Sequence, residues 1–134
     1  MSYESSIEAT DHFFAGEDKT LSYEVFAEDG VAMENVAAFA MEWTLRKSLT
    51  SKQPYRAQGS VVVTKETGGS GITVTGAYDS VRASNTQRVI VTIADTDTEN
   101  LAGGRYVCSL KRTDAGIEAV LSHGVVEVLV SPVR

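Results

Sequence analysis

The chain has 134 residues, and its 18 acidic against 12 basic side chains give a formal net charge of −6. This length suits one compact domain. The negative charge argues against a protein that binds nucleic acid or an anionic membrane, because both ligands require a basic surface. No apolar run approaches the roughly 20 residues of a membrane span. The start of the sequence also lacks the basic and apolar regions of a signal peptide, so we expect synthesis in a reducing cytoplasm.

The charge is unevenly distributed along the chain. Most of the acidic excess precedes Asn35, where Lys19 is the only basic residue. A basic stretch follows, with Arg46, Lys47, Lys52, Arg56 and Lys65. Such asymmetry can steer assembly between protein surfaces, and two solvated faces of opposite charge explain it equally well.

Residues 1–14 are predicted to form an N-terminal arm, and residues 15–134 a β-sandwich domain. The first twelve residues are polar and show no periodicity, which is typical of a mobile terminus. Phe13 and Phe14 end this segment and are candidate partner-binding residues, because aromatic side chains dominate interface hot spots. The alternative is that both phenylalanines dock onto the chain's own sandwich.

Apolar and polar residues alternate in about eight short segments, which is the pattern of β-strands with one buried face. Turn residues at 27–30, 67–71, 113–116 and 122–124 separate several of these segments. Frequent short strands favour an antiparallel sandwich or barrel over an alternating α/β fold. The segments are 21–25, 39–45, 61–63, 72–74, 89–93, 106–110, 117–121 and 126–130.

Residues 95–102, DTDTENLA, are the best candidate for a short helical turn. Asp95 or Thr96 is suited to cap it, with Glu99 near the spacing of a capping box. The alternating Asp95, Asp97 and Glu99 also resemble the start of a calcium loop, but the glycine and the distal glutamate of that loop are missing. Capping explains these residues more simply. Residues 31–38 are ambiguous and could hold another helical turn.

The stretch LAGGRYVCSL, residues 101–110, has the spacing of an immunoglobulin strand without a second cysteine in the chain. Tyr106 is placed to bury its ring and to bond its hydroxyl to the backbone just upstream. We predict a structural core that contains Trp43, Leu101, Tyr106 and Cys108. Apolar packing around Trp43 and Cys108 would replace the disulfide.

The sequence predicts no catalytic residues, no metal site and no cofactor. His12 and His123 are the only histidines, and Cys108 faces inward, so a nucleophile–base arrangement is unsupported. Zinc requires several cysteine or histidine ligands, and that spacing is absent. TGGSG at 67–71 lacks the Lys–Ser/Thr pair of a phosphate loop and fits a hairpin turn.

Several motifs follow one another in a fixed order: Trp43, Gly71 with Ile72, Asp97 with Thr98, Leu101, Gly104 with Tyr106, and Gly124. In this order they resemble small structural proteins of tailed bacteriophages, in particular the N-terminal domain of phage baseplate upper proteins. The resemblance extends from about Phe14 to Val130 and implies an immunoglobulin-like β-sandwich. Together with the strand pattern, it leads us to expect an all-β, immunoglobulin-like antiparallel β-sandwich of about seven to nine strands with one short helical turn.

The resemblance implies a non-enzymatic structural protein located in the virion and bound to other virion proteins in multiple copies. Baseplate upper proteins continue into a receptor-binding part that this sequence does not contain. We therefore expect an assembly module in the tail, neck or baseplate, or a capsid cement or decoration protein. The alternative function is a carbohydrate- or receptor-binding module, for which Tyr55 and Tyr78 in loop-like surroundings would form the platform.

Overall fold

The computed structural model describes residues 4–5, 10–27, 29–48 and 58–130 of the chain. In residues 4–5 and 10–14 and at Gln58, the backbone alone is described. Within these ranges the regular structure is ten strands, one helical turn and one 3₁₀ turn. The strands are β1 (Glu4–Ser5), β2 (Thr10–Phe14), β3 (Lys19–Tyr23), β4 (Val25–Phe26), β5 (Met41–Ser48), β6 (Gln58–Glu66), β7 (Ile72–Thr75), β8 (Arg88–Ile93), β9 (Gly104–Arg112) and β10 (Ala119–Leu129).

Two sheets carry most of these strands. The larger sheet has the spatial order β2–β10–β9–β5–β6, and the smaller sheet has the order β3–β8–β7. All neighbours in both sheets are antiparallel except β2, which runs parallel to β10. The short strands β1 and β4 form a separate antiparallel pair. The four-residue helix α1 (Asp95–Thr98) connects β8 to β9, and the 3₁₀ turn (Arg82–Ser84) lies between β7 and β8.

This arrangement is an all-β, immunoglobulin-like antiparallel β-sandwich, which confirms the fold class predicted from the sequence. The smaller sheet corresponds to the B, E and D strands of an immunoglobulin domain. The run β10–β9–β5–β6 corresponds to the G, F, C and C′ strands. Ten strands are present in the described ranges because the edge segments β1 and β4, of two residues each, add to the main strands.

One core lies between the two sheets. Strand alternation explains it: along β5, Met41, Trp43 and Leu45 face inward and are at most 1% exposed. Across from them, the smaller sheet contributes Val89, Val91 and Ile93 from β8 along with residues of β3 and β7. Burial of a large apolar side chain stabilises a fold by about 1.5–3 kcal/mol, so the facing apolar rows hold the sheets together.

A buried hydrogen bond joins the two sheets inside this core. The indole Nε1–H of Trp43 on β5 donates to the hydroxyl oxygen of Tyr23 on β3, at 2.9 Å. The two residues are 0% and 1% exposed. Cys108 on β9 is also buried and forms no disulfide. A hydrogen-bonded aromatic pair therefore connects the sheets in a domain without the usual disulfide between them.

Tyr106 closes the corner between α1 and β9. Its hydroxyl donates to the backbone carbonyl of Ala102 at 2.7 Å, and its ring is buried in the core. Gly104 adopts a φ of 138°, which favours glycine, as the chain enters β9. Lys47 covers the corner, with its Nζ 5.0 Å from the Tyr106 ring centre and bonded to the Gly103 carbonyl at 3.2 Å. Leu101 is partly buried against the same core.

The predicted turn at residues 122–124 is wrong, because β10 runs without interruption from Ala119 to Leu129. Ser122, His123 and Gly124 pair with residues Leu110 to Cys108 of β9. A continuous ladder of backbone hydrogen bonds thus outweighs the turn preference of glycine and serine. The one register shift in this pairing lies between Val120 and Ser122, before the predicted turn. Residues 31–38 contain no helix; Met33 forms an isolated bridge with Phe26.

Part of the segment predicted as an N-terminal arm is an edge strand. The backbone of Thr10–Phe14 pairs with Val125–Leu129 of β10, and the Ala15 amide bonds to the Leu129 carbonyl at 2.8 Å. Phe13 and Phe14 lie in this strand opposite Val128 and Leu129, but their side chains lie outside the described atoms. Backbone pairing favours docking onto the chain's own sandwich. The division into an arm of 1–14 and a domain of 15–134 stays a prediction.

The Trp43–Tyr23 bond can be tested with Tyr23→Phe. This substitution leaves the buried indole N–H without its acceptor, so we expect the free energy of unfolding to fall by about 1–3 kcal/mol. Urea denaturation followed by tryptophan fluorescence measures the change. Tyr78→Phe is the matched control, because it removes a hydroxyl from the partly buried bond to the Met33 carbonyl, where water can replace it. Equal losses in the two variants would contradict a special role for the pair.

Candidate interaction surface

Three loops meet at one end of the sandwich. Residues 27–40 connect β4 to β5, residues 76–87 connect β7 to β8, and residues 113–118 connect β9 to β10. Met41 pairs with Arg112 in the larger sheet, and Thr75 pairs with Arg88 in the smaller one. These strand ends lie at the same end of the sandwich, because Met33 bonds to Ser80 and Ala40 bonds to Asp114. We call the described part of these segments, residues 27, 29–40, 76–87 and 113–118, the loop end.

Hydrogen bonds fasten the first loop to the second. The Met33 amide donates to the Ser80 carbonyl at 2.9 Å, and the Tyr78 hydroxyl donates to the Met33 carbonyl at 2.9 Å. The buried Gln87 side chain accepts from the Val36 amide at 3.1 Å. Its Nε2 donates to the side-chain oxygen of Asn35 at 3.0 Å. The backbone of this loop is therefore fixed by partners far away in the sequence.

A second set of contacts fastens the same loop to the hairpin between β9 and β10. The Asp114 carboxylate accepts from the Ala40 amide at 3.0 Å and from Arg112 Nε at 2.8 Å. The Arg112 guanidinium stacks over the Phe39 ring, 3.6 Å from its centre. The Arg112 bond and then the Ala40 bond lower the pKa of Asp114 below its ordinary value of 3.8. The loop end is thus held as one unit.

Exposed apolar side chains concentrate on this unit. Half of the large apolar residues that are well exposed in the described ranges belong to the loop end. They are Val31, Tyr78, Val81 and Ile117, with exposures of 75%, 39%, 59% and 52%. Contiguous exposed apolar surface often marks an interaction site. Val31 and Val81 line the same open depression of about 490 Å³, together with Asp29, Ala32, Ser80, Arg82 and Ala83.

Asp29 fixes the backbone on one side of the depression. Its Oδ1 accepts from the amides of Val31 and Ala32 at 2.8 and 2.9 Å. These two backbone bonds lower the pKa of Asp29. The carboxylate therefore orders the turn that presents Val31.

Arg82, which also lines the depression, shares the carboxylate of Glu24 with Arg88. Glu24 binds Arg82 through Oε2 and Arg88 through Oε1, both at 3.0 Å. The Arg82 guanidinium also lies 5.2 Å from the centre of the Phe26 ring. The Arg82 side chain is 59% exposed, whereas that of Glu24 is 12% exposed. This cluster places the exposed guanidinium of Arg82 in the same depression as Val31 and Val81.

Two carboxylates of DTDTEN, those of Asp95 and Asp97, form hydrogen bonds within the fold. Asp97 accepts from the Ala94 amide at 2.7 Å and forms a 2.7 Å ion pair with Lys65 of β6. Burial raises the pKa of Asp97, but the bonds from Lys65 and Ala94 outweigh it, so the pKa lies below 3.8. Asp95 accepts from the Thr96 amide. Among the described residues, no three His, Cys, Asp or Glu side chains are grouped so that they could hold a metal ion.

The structure separates most of the side chains that the sequence offered for chemistry or binding. Cys108 is 1% exposed, whereas His123 is exposed on the same stretch of sheet, opposite Ser109. Tyr55 and the side chain of His12 lie outside the described atoms. Tyr78 belongs to the loop end and is half-exposed. In the described part of the chain, no helix is long and apolar enough to cross a membrane.

The basic stretch predicted as a second face is engaged internally where the structure describes it. Arg46 donates to the Gly59 carbonyl at 3.2 Å. Lys47 covers Tyr106, and Lys65 pairs with Asp97. Lys52 and Arg56 lie outside the described residues. These contacts favour the interpretation that the basic side chains stabilise the fold over the interpretation that they attract a partner electrostatically.

The loop end is a surface that the sequence did not predict. Its three aliphatic members each follow a turn residue directly, in the pairs Gly30–Val31, Ser80–Val81 and Gly116–Ile117. Ile72 follows Gly71 in the same way and is 2% exposed. The position after a turn residue therefore does not distinguish exposed from buried side chains, and no local signal in the sequence predicts this surface. Ile117 was instead assigned to a strand, and Val31 to an ambiguous segment.

Comparison with known proteins gives similarity at the level of solved structures. CopC from Methylosinus trichosporium OB3b matches with a TM-score of 0.42 and 17% identity, over 96% of this chain and 94% of that one. The GspB Siglec domain matches with a TM-score of 0.46 and 13% identity, over 98% of this chain. This chain spans 59% of that second structure. No protein-family model and no curated protein matches the sequence.

The Asp114 contacts predict an acid-sensitive loop end. Because the folded-state pKa of Asp114 is depressed, its carboxylate stabilises the fold above pH 3.8, and this contribution is lost as the pH falls below that value. We expect Asp114→Asn to lower Tm at pH 7 and to flatten the fall in Tm on acidification. Scanning calorimetry from about pH 7 to about pH 2.5, a range that brackets the titration of a carboxyl group, measures both. Glu118→Gln, which removes one charge from the same hairpin, is the control. A profile of Asp114→Asn parallel to that of the control would contradict the assignment.

Proposed function

We propose that the chain is a non-enzymatic structural protein of a bacteriophage virion and acts there as an assembly module. The observation that carries the proposal is the loop end, where exposed valine, isoleucine and tyrosine side chains stand on a backbone fixed by long-range hydrogen bonds. The resemblance of the sequence motifs to those of phage baseplate upper proteins supplies the viral context. Other virion proteins are the partners, and multiple copies per particle are expected.

The mechanism is rigid docking. Association costs free energy for every loop or side chain that becomes ordered at the interface. In the loop end, the buried Gln87 and the Asp114–Arg112 pair have already fixed the backbone. Apolar side chains displayed on such a platform lose little further entropy on binding. This is what a repeated joint in a particle requires, whether in the tail, neck or baseplate or as a cement protein on the capsid.

Phage particles test the viral part of the proposal. An antiserum against the chain should detect it in particles purified on a density gradient from a strain that carries the gene. Electron microscopy of the same particles with gold-labelled antibody distinguishes the capsid from the tail, neck and baseplate. Recovery of the chain only in the soluble fraction, with no label on intact particles, would reject the virion role.

Substitutions at the two ends of the sandwich test the surface. Val31→Lys and Val81→Lys place a charge on the loop end, and we expect each to reduce incorporation into particles at least several-fold, because an unpaired charge in an apolar interface is unfavourable. Val130→Lys is the matched control: Val130 is 57% exposed just beyond β10, at the opposite end. All three variants should keep the wild-type Tm. Equal incorporation of all three would exclude the loop end as the joint.

A carbohydrate- or receptor-binding module is the second candidate, and the half-exposed ring of Tyr78 favours it. Its hydroxyl is bonded to the Met33 carbonyl, which holds the ring in one orientation at the loop end. A fixed aromatic face of this kind can stack on a sugar ring. Binding on a glycan array that disappears in Tyr78→Ala and persists in Val130→Lys would establish this function. An array without binding would leave the assembly role as the account of this surface.

A further inference from the structure

We infer that the depression at the loop end takes an apolar side chain of a partner protein together with a neighbouring carboxylate, which binds Arg82. The inference rests on the proposed function as an assembly module and specifies the chemistry of the partner. It commits to a protein segment that contains an aliphatic or aromatic residue next to Asp or Glu.

The apolar half of the recognition comes from the floor of the depression. Val31 and Val81 are 75% and 59% exposed, and they line the depression together with Ala32 and Ala83. Removal of apolar surface from water is the dominant favourable contribution in most protein association. The depression has a volume of about 490 Å³ and is open to solvent, so a partner side chain can reach it directly. The floor therefore selects an apolar anchor.

Hydrogen bonds to the backbone order the depression before any partner binds. Asp29 holds the amides of Val31 and Ala32, and the Met33–Ser80 bond joins the two walls. On the second wall, the Asp79 carboxylate accepts from the Val81 amide at 2.8 Å. Binding therefore requires little rearrangement of either loop.

Arg82 supplies the charged part of the proposed binding site. Arg82 and Arg88 share the carboxylate of Glu24, so Glu24 neutralises only one of the two guanidinium charges. The nearby carboxylates of Asp29 and Asp79 are bonded to backbone amides and not to these arginines. Arg82 is the more accessible of the two, with its side chain 59% exposed against 32% for Arg88. Guanidinium groups bind carboxylates through paired N–H donors. Arg82 can therefore bind a second carboxylate without losing Glu24.

The negative charge of Asp29 orients the partner. Asp29 and Arg82 both line the depression, and Asp29 already accepts two amide hydrogens through Oδ1. A partner carboxylate is repelled on the Asp29 side and attracted on the Arg82 side. An acidic protein segment with an apolar anchor is thus the occupant that fits.

Selection from a random peptide library tests this chemistry with the full chain as bait. We expect enriched peptides to share Leu, Ile, Met or Phe close in sequence to Asp or Glu. Fluorescence polarisation of one labelled peptide then measures Kd. Arg82→Gln should weaken binding by about tenfold or more, because it removes a hydrogen bond between charged groups, which is stronger than a neutral one. Val81→Ser should weaken it as well, while Val130→Lys should bind like the wild type.

A double-mutant cycle separates direct contact from indirect effects. Replacing the acidic residue of the peptide by its amide should change the Kd for the Arg82→Gln chain only slightly, because that chain has already lost the interaction with the carboxylate. Independent effects of the two changes would overturn the pairing. Failure to enrich any peptide, or a consensus without acidic residues, would overturn the inference. Either outcome leaves the presence of the chain in particles, and so the proposed function, to be decided separately.

Discussion

The hydrogen bond between Trp43 and Tyr23 fixes how the two sheets face each other. It connects β5 in the larger sheet with β3 in the smaller sheet, at a point that water does not reach. Apolar packing alone tolerates sliding, because the hydrophobic effect has little directionality. A buried donor that must keep its acceptor restricts the relative positions that the two sheets can adopt. The aromatic pair thereby supplies the alignment that a disulfide supplies in many immunoglobulin domains.

The geometry of the loop end depends on the relative position of the two sheets. The second loop belongs to the smaller sheet and the hairpin between β9 and β10 belongs to the larger one. The first loop leads from β4, in its separate pair with β1, into the larger sheet at β5. Gln87 and Asp114 can bind the first loop simultaneously only while the two sheets keep their relative position. Core packing and surface presentation are therefore coupled. A change at Tyr23, deep in the sandwich, should disturb Val31 and Val81 on its surface.

The strand pattern predicted the fold because period-two alternation marks one buried face, and Trp43, Tyr106 and Cys108 all lie inward on their strands. Pairing between distant segments was not predictable in the same way. Tyr23 reads as one more alternating residue, and nothing in its neighbourhood indicates Trp43 as its partner. Gly124 reads as a turn, yet the β9 ladder keeps it extended. The loop end is assembled from three segments that are far apart in the sequence, and local patterns contain no information about that proximity.

The position of the single cysteine has a practical consequence for following the protein in solution. Cys108 is 1% exposed in the centre of β9, between neighbours on both sides of its strand. A thiol reagent can reach its Sγ only after β9 separates from the core, so the rate of labelling reports the opening of the sandwich. Because the chain contains no second cysteine, that signal comes from one site and is free of thiol–disulfide exchange within the molecule.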